Sequence, residues 1–157
     1  MAIRKPLVVV SGQVQQLQAG DSIASPITIS QTNDEAGALV IGNIVYSDVA
    51  DGVKKAQANA AATQKPLGFV TDVTVATGQP VNIQTSDILT ATTAQWDAVA
   101  GTTGGLAANT DYYLDPATPG KITATPTSTV GQYLRRVGYA FSTTELDIRI
   151  DPISILM

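Results

Sequence analysis

The side chains best suited by type to bond-breaking chemistry are the carboxylates Asp34, Glu35, Asp111, Asp115, Glu145 and Asp147. Two such groups flanking a sugar linkage can hydrolyse it, one as acid and the other as base or nucleophile. The chain contains no His and no Cys. That removes the commonest general base, the usual partner of a nucleophilic serine and the commonest zinc ligands. The setting of each carboxylate points to a structural role instead. Asp34 and Glu35 lie in a polar loop, QTNDEAG; Asp115 precedes Pro116, where Asp starts turns. Asp147 alternates with Leu146 and Ile148, which places it on the solvent face of a strand.

Other chemistry-bearing patterns are incomplete. The Gly-rich segment 101–105 lacks the Lys of a phosphate-binding loop and reads as a flexible connection. Asp111 and Asp115 do not have calcium-loop spacing. Trp96 and the Tyr112-Tyr113 pair can stack on sugars, yet single aromatics in a small domain more often fill its core. These residues predict a protein without catalytic residues, cofactor or metal.

Composition narrows the partners. Charged residues make up 14% of the 157 residues, against a typical value of about 25%. Thr, Ser, Gln and Asn supply the polarity, which suggests a surface partly covered by other subunits. The net charge of −4 argues against nucleic acid as a partner, since a phosphate footprint needs clustered Lys and Arg. Arg4-Lys5, Lys54-Lys55 and Arg135-Arg136 are the only basic pairs and read as solvated or partner-contacting faces. Arg4 and Lys5 precede an apolar run confined to residues 7–10, too short for the core of an export signal. No run approaches the length of a membrane span. The lack of Cys fits assembly in a reducing cytoplasm.

The elements that would position these groups are strands. Residues 7–10, 27–29, 39–46, 67–75, 81–83, 112–114, 122–125, 133–141 and 146–150 are rich in β-branched and aromatic side chains. Gly, Pro, Asn and Asp separate them, with turns expected at 77–80 and 115–120. Asp51-Gly52 is the one hairpin dipeptide. A single short helix is expected over about 93–100, with Thr92 and Gln95 as its capping box and Gly101 as its stop. Residues 56–62 are Ala-rich but read as a loop. The fold class is all-β, a single barrel or sandwich spanning 26–157, preceded by an extended N-terminal arm over 1–25. LGFV before VNIQ and VGYA before LDIR form a faint internal echo, which convergent strand chemistry or two hairpins facing each other in a barrel would produce alike.

Three stretches carry a family resemblance. They are RKPLVVVSGQVQQLQAGD, the segment 36–89 (AGALVIGNIVY to SDIL) and the segment 104–150 (GGLAANTDYYLDPATPGKIT to ELDIRI). In order and composition they resemble capsid decoration (cement) proteins and head-fibre-type structural proteins of tailed bacteriophages. The resemblance implies a non-enzymatic virion protein, a homotrimer bound to the major capsid protein on the outer surface of the head. Its implied alternative is a tail-fibre or baseplate adaptor that binds glycans through aromatics such as Tyr112 or Tyr139. The absence of large flanking regions favours decoration over fibre. Leu7, Val8, Val9 and Val10 are the expected partner-binding anchors, because an extended arm can add a strand to a neighbour's sheet.

Overall fold

In the computed structural model, residues 27–157 are described with their side chains, and residues 7–10 and 13–16 as backbone strands. The fold is all-β, with one short helix among the described residues. Strand β1 (Leu7–Val10) pairs antiparallel with β2 (Gln13–Gln16), Val9 facing Val14 across the ladder. The expected arm boundary near residue 25, and the side chains of Leu7, Val8, Val9 and Val10, lie outside the described residues.

The first half of the body comprises β3 (Thr28–Asn33), β4 (Leu39–Val40), β5 (Ile44–Val49), β6 (Gly52–Lys55), β7 (Gly68–Val70), β8 (Thr74–Val75) and β9 (Pro80–Gln84). Strands β3, β6, β5, β7 and β9 close into a barrel, sealed by β3 pairing with both β9 and β6. Strands β4 and β8 form a small separate ribbon. The second half comprises β10 (Asp87–Thr90), α1 (Thr93–Ala100), β11 (Thr110–Leu114), β12 (Ile122–Thr123), β13 (Tyr133–Leu134), β14 (Arg136–Ala140), β15 (Glu145–Ile148) and β16 (Ile155–Leu156). Its main sheet is open, in the order β10-β15-β14-β11-β12, and β13 pairs with β16 in a second ribbon.

The internal echo has a structural counterpart, with a correction. Both halves use one strand order: β3-β9-β7-β5-β6 in the barrel and β10-β15-β14-β11-β12 in the open sheet. LGFV and VNIQ pair in the barrel, whereas VGYA and LDIR pair in the open sheet, so the two hairpins do not share one barrel. The first ladder closes on itself. In the second, α1 follows β10 and packs against β12.

Several expected strands are interrupted or shortened. The run 39–46 breaks at Gly42, 67–75 splits into β7 and β8, and 133–141 splits at Arg135. Asp51, at φ 59°, makes the Asp51-Gly52 turn between β5 and β6. The helix ends as the sequence predicts. The Thr92 hydroxyl accepts from the Gln95 N–H, the Gln95 side chain accepts from the Thr92 N–H, and Gly101 closes the helix in the left-handed region.

Two apolar clusters meet at β5 and β7. Val45, Val53, Val70, Val81 and Ile83 fill the barrel together with Leu39 and Val75. Ile44 and Phe69 point the other way, into a larger cluster containing Trp96, Val99, Tyr112, Leu114, Ile122 and Leu146. Strand alternation produces this directly, since successive residues face opposite sides. The turn at 115–120 then locks the halves together. Gly120 donates its N–H to the Ala56 carbonyl (2.7 Å) and accepts from the Ile44 N–H (3.1 Å) and the Asn43 amide (3.2 Å).

Gly68 shows how tight this junction is. A Cβ there would lie 2.4 Å from the Gln84 carbonyl oxygen and 2.7 Å from the Ile83 side chain, whereas a Cβ on Gly37 would meet nothing within 4 Å. Gly68→Ala is therefore expected to destabilise the protein by about 1–3 kcal/mol through overpacking, and Gly37→Ala to stay within about 0.5 kcal/mol of wild type. Phe69→Ala should cost about 3–5 kcal/mol through the cavity it leaves in the shared core. Urea unfolding monitored by Trp96 fluorescence measures all three.

Candidate functional site

The carboxylates do not converge on a reaction centre. Asp34 lies 3.6 Å from the Lys54 ammonium, and Glu35 accepts from the Lys55 backbone N–H (3.0 Å). Asp115 accepts from the Ala117 N–H (2.7 Å), which makes it the turn starter its sequence suggested. Glu145 accepts from the Ser142 hydroxyl (3.0 Å). Only Asp111 and Asp147 are brought into one row, on either side of Tyr139 across β11, β14 and β15. Each is ion-paired, Asp111 with Arg136 (3.2 Å) and Asp147 with Arg149 (2.5 Å).

A hydrolytic acid is a carboxyl held protonated in apolar surroundings. An apolar groove of about 250 Å³ is lined by Val40, Ile41, Val73, Ala94, Gln95 and Ala98, with no carboxylate among them, and the groove that Asp34 and Asp51 do line is polar and open. Among the described residues, no group of three Asp or Glu side chains is placed to hold a metal ion.

The aromatics divide between core and surface. Tyr112 is fully buried, its hydroxyl accepting from the Ala107 N–H (2.8 Å), so it fills the core, as expected of a single aromatic in a small domain, and is not available for the glycan stacking of the alternative reading. Trp96 is equally buried and donates its indole N–H to the Thr144 carbonyl (3.0 Å). Tyr139 remains at the surface, edge-on to Phe141 at 5.5 Å between ring centres, with the Arg149 guanidinium 6.0 Å over its ring.

Arg135 also departs from expectation. It is buried, not solvated. It donates to the Gln64 side chain (3.2 Å) and the Asp151 carbonyl (2.6 Å). Its partners are neutral oxygens, and burial lowers its affinity for the proton relative to free arginine. The pair thus splits in function: Arg135 pins the 56–64 loop and the C-terminal segment, while Arg136 bridges Asp111 and Asp151 at the surface.

The features that best suit a binding surface are apolar. Val130 (88% exposed), Ile153 (76%), Ile155 (59%) and Leu156 (60%) cluster in sequence around the β13–β16 ribbon. Residues 153–156 are not among the strands expected from the sequence, although Ile153-Ser154-Ile155 carries the period-two signal of one. No known family model matches this chain, and no functionally described protein matches it significantly.

The Gly-rich loop is built around one carboxylate. Asp97 of α1 accepts from the backbone N–H groups of Gly105 (2.7 Å) and Gly104 (3.1 Å) and from the Thr102 hydroxyl (3.1 Å). Gly105 has φ +92° and no room for a Cβ, which would lie 2.2 Å from the Thr143 carbonyl oxygen. The expected flexible connection is therefore a wound loop. The Gly105 N–H bond, then those of Gly104 and Thr102, hold the Asp97 carboxyl below its ordinary pKa. A depressed folded-state value adds stability above the unfolded carboxyl's pKa of about 4, and the gain disappears as pH falls through the folded-state value. Asp97→Asn should lower the Tm at pH 7, and the gap to wild type should close below about pH 4 as the wild-type carboxyl protonates. A thermal melt series from pH 7 to 3 tests this, and a gap independent of pH would contradict it.

Proposed function

We propose that the protein is a non-enzymatic structural component of a tailed-phage virion, a capsid decoration protein that binds the outer surface of the head. It stabilises the shell by bridging neighbouring major capsid proteins, and it does so as a homotrimer. The observation that carries this reading is the uncovered apolar ribbon at β13–β16 on a chain with only 14% charged residues. Such a surface is suited to subunit contact. The sequence resemblance to decoration proteins points the same way.

Mechanistically, modest contacts suffice. An oligomer engaging several capsid subunits at once gains avidity through effective concentration without a stronger individual contact. The strand at Leu7–Val10 is the segment that reaches a neighbouring subunit, offering backbone groups for strand addition. No step requires bond breaking, which fits carboxylates held in local ion pairs and turns.

A second reading is favoured by the Tyr139–Phe141 pair, which presents an aromatic edge and a cation to solvent. On that reading the protein is a tail-fibre or baseplate adaptor that stacks on host glycans. Copy number separates the two. Gel densitometry of purified particles should show this chain in amounts comparable in moles to the major capsid protein. A minor band with tail-protein stoichiometry would favour the adaptor.

A further inference from the structure

We propose that β16 is the acceptor edge for strand β1 of a second copy of this chain, so that the protein assembles by exchanging N-terminal hairpins. This deepens the proposal that residues 7–10 reach a neighbouring subunit, and it holds whether or not the assembly sits on a capsid.

The acceptor is an open strand edge. Among the described residues, β16 pairs only with β13, which on its other side donates the Tyr133 N–H to the Ala58 carbonyl (2.8 Å). Met157 donates its N–H back to the Gln132 carbonyl (2.9 Å). Antiparallel ladders alternate direction, so the backbone groups of the preceding residue, Leu156, face away from β13. Ile155 and Leu156 are both more than half exposed, with exposed Ile153 just before them and exposed Val130 next to Gly131, whose N–H bonds the Met157 carbonyl (2.9 Å). Natural edges are usually guarded by Lys, Pro, a bulge or shortness of the strand, and β16 has the last of these, being two residues long. Residues 153–157 contain none of the first two.

The donor is an apolar strand that needs a partner. Among the described residues, β1 pairs with β2 alone. A lone two-stranded hairpin is marginal in water, and stability requires further strands or packing. The sequence of β1 is Leu-Val-Val-Val and neither β1 nor β2 carries a charge. Residues 17–26 join the hairpin to the body, and their contour spans at most about 35 Å. A body of this size has a radius of gyration of about 14 Å, so the tether is long enough to reach an adjacent copy.

The native chain lacks Cys, which makes thiol cross-linking unambiguous. Val8→Cys and Leu156→Cys are made separately in full-length chains, one carrying a size tag, then mixed and treated with a short bis-maleimide. The expected product is a covalent heterodimer of the two variants, lost when Ile155→Lys is added to the Leu156→Cys chain. Light scattering should also show wild type as an oligomer and the Ile155→Lys chain as a single chain that still melts cooperatively, at a Tm that no longer depends on protein concentration. Two results would overturn the inference: cross-linking only within one chain of the double-Cys variant, which means the hairpin docks on its own body, or no cross-link at all.

Discussion

Where β5 and β7 pair, at Ile44-Val45 and Phe69-Val70, they are apolar on both faces, and the rest of the architecture follows from having to cover each face. Ile44 pairs with Phe69 on one side of the ribbon, and Val45 and Val70 point to the other. Closing five strands into a barrel covers the second face. The first face can be covered only by a separate layer, and the open sheet with α1 supplies it. Gly68 sits at this junction because the barrel wall passes too close for any side chain. The Asp115–Gly120 turn is then more than a chain reversal. Its backbone bonds to Ala56, Ala58 and Ile44 satisfy polar groups that the apolar junction would otherwise strand.

The repeated strand order gives this arrangement an economy. One pairing scheme serves both halves, and the difference lies in how each ladder ends. In the first half, the pairing of Thr32 with Gly52 and Asn33 with Val53 closes the barrel. In the second, Trp96 and Val99 of α1 enter the core alongside Ile122 of β12. The Asp97-centred loop holds the end of that helix to the chain that follows it. Function, on the proposal made above, then falls to the parts left outside this core: the β13–β16 ribbon, the Tyr139–Phe141 pair and the N-terminal hairpin.

Much of the local structure was legible in the sequence, because it rests on neighbouring residues. The Thr92–Gln95 box and Gly101 fixed the helix to the residue. Alternation in LDIR revealed a half-exposed strand, and Asp115 before Pro116 revealed a turn. Strands whose signal comes from distant partners were not legible. The short β6 begins at Gly52 and ends in Lys54-Lys55, and β10 is a three-residue apolar-polar mix after Asp87. The burial of Arg135 depends on Gln64, 71 residues away. The wound state of the Gly-rich loop depends on one carboxylate within the preceding helix, a pairing that composition alone does not reveal. No carboxylate pair emerged as a site because the fold gives each a local partner.

The central physical claim is that the two-faced β5–β7 ribbon fuses both halves into one cooperative unit. Native-state hydrogen exchange measures this most directly. The amides of Ile44 and Gly120 cross the junction, that of Val70 lies in the first half and that of Arg149 in the second, all in backbone hydrogen bonds. The account predicts that all four exchange through the same global opening, with one free energy and one denaturant dependence. Exchange of Ile44 and Val70 through a smaller opening, with Arg149 still protected, would show that the halves unfold separately and would contradict it.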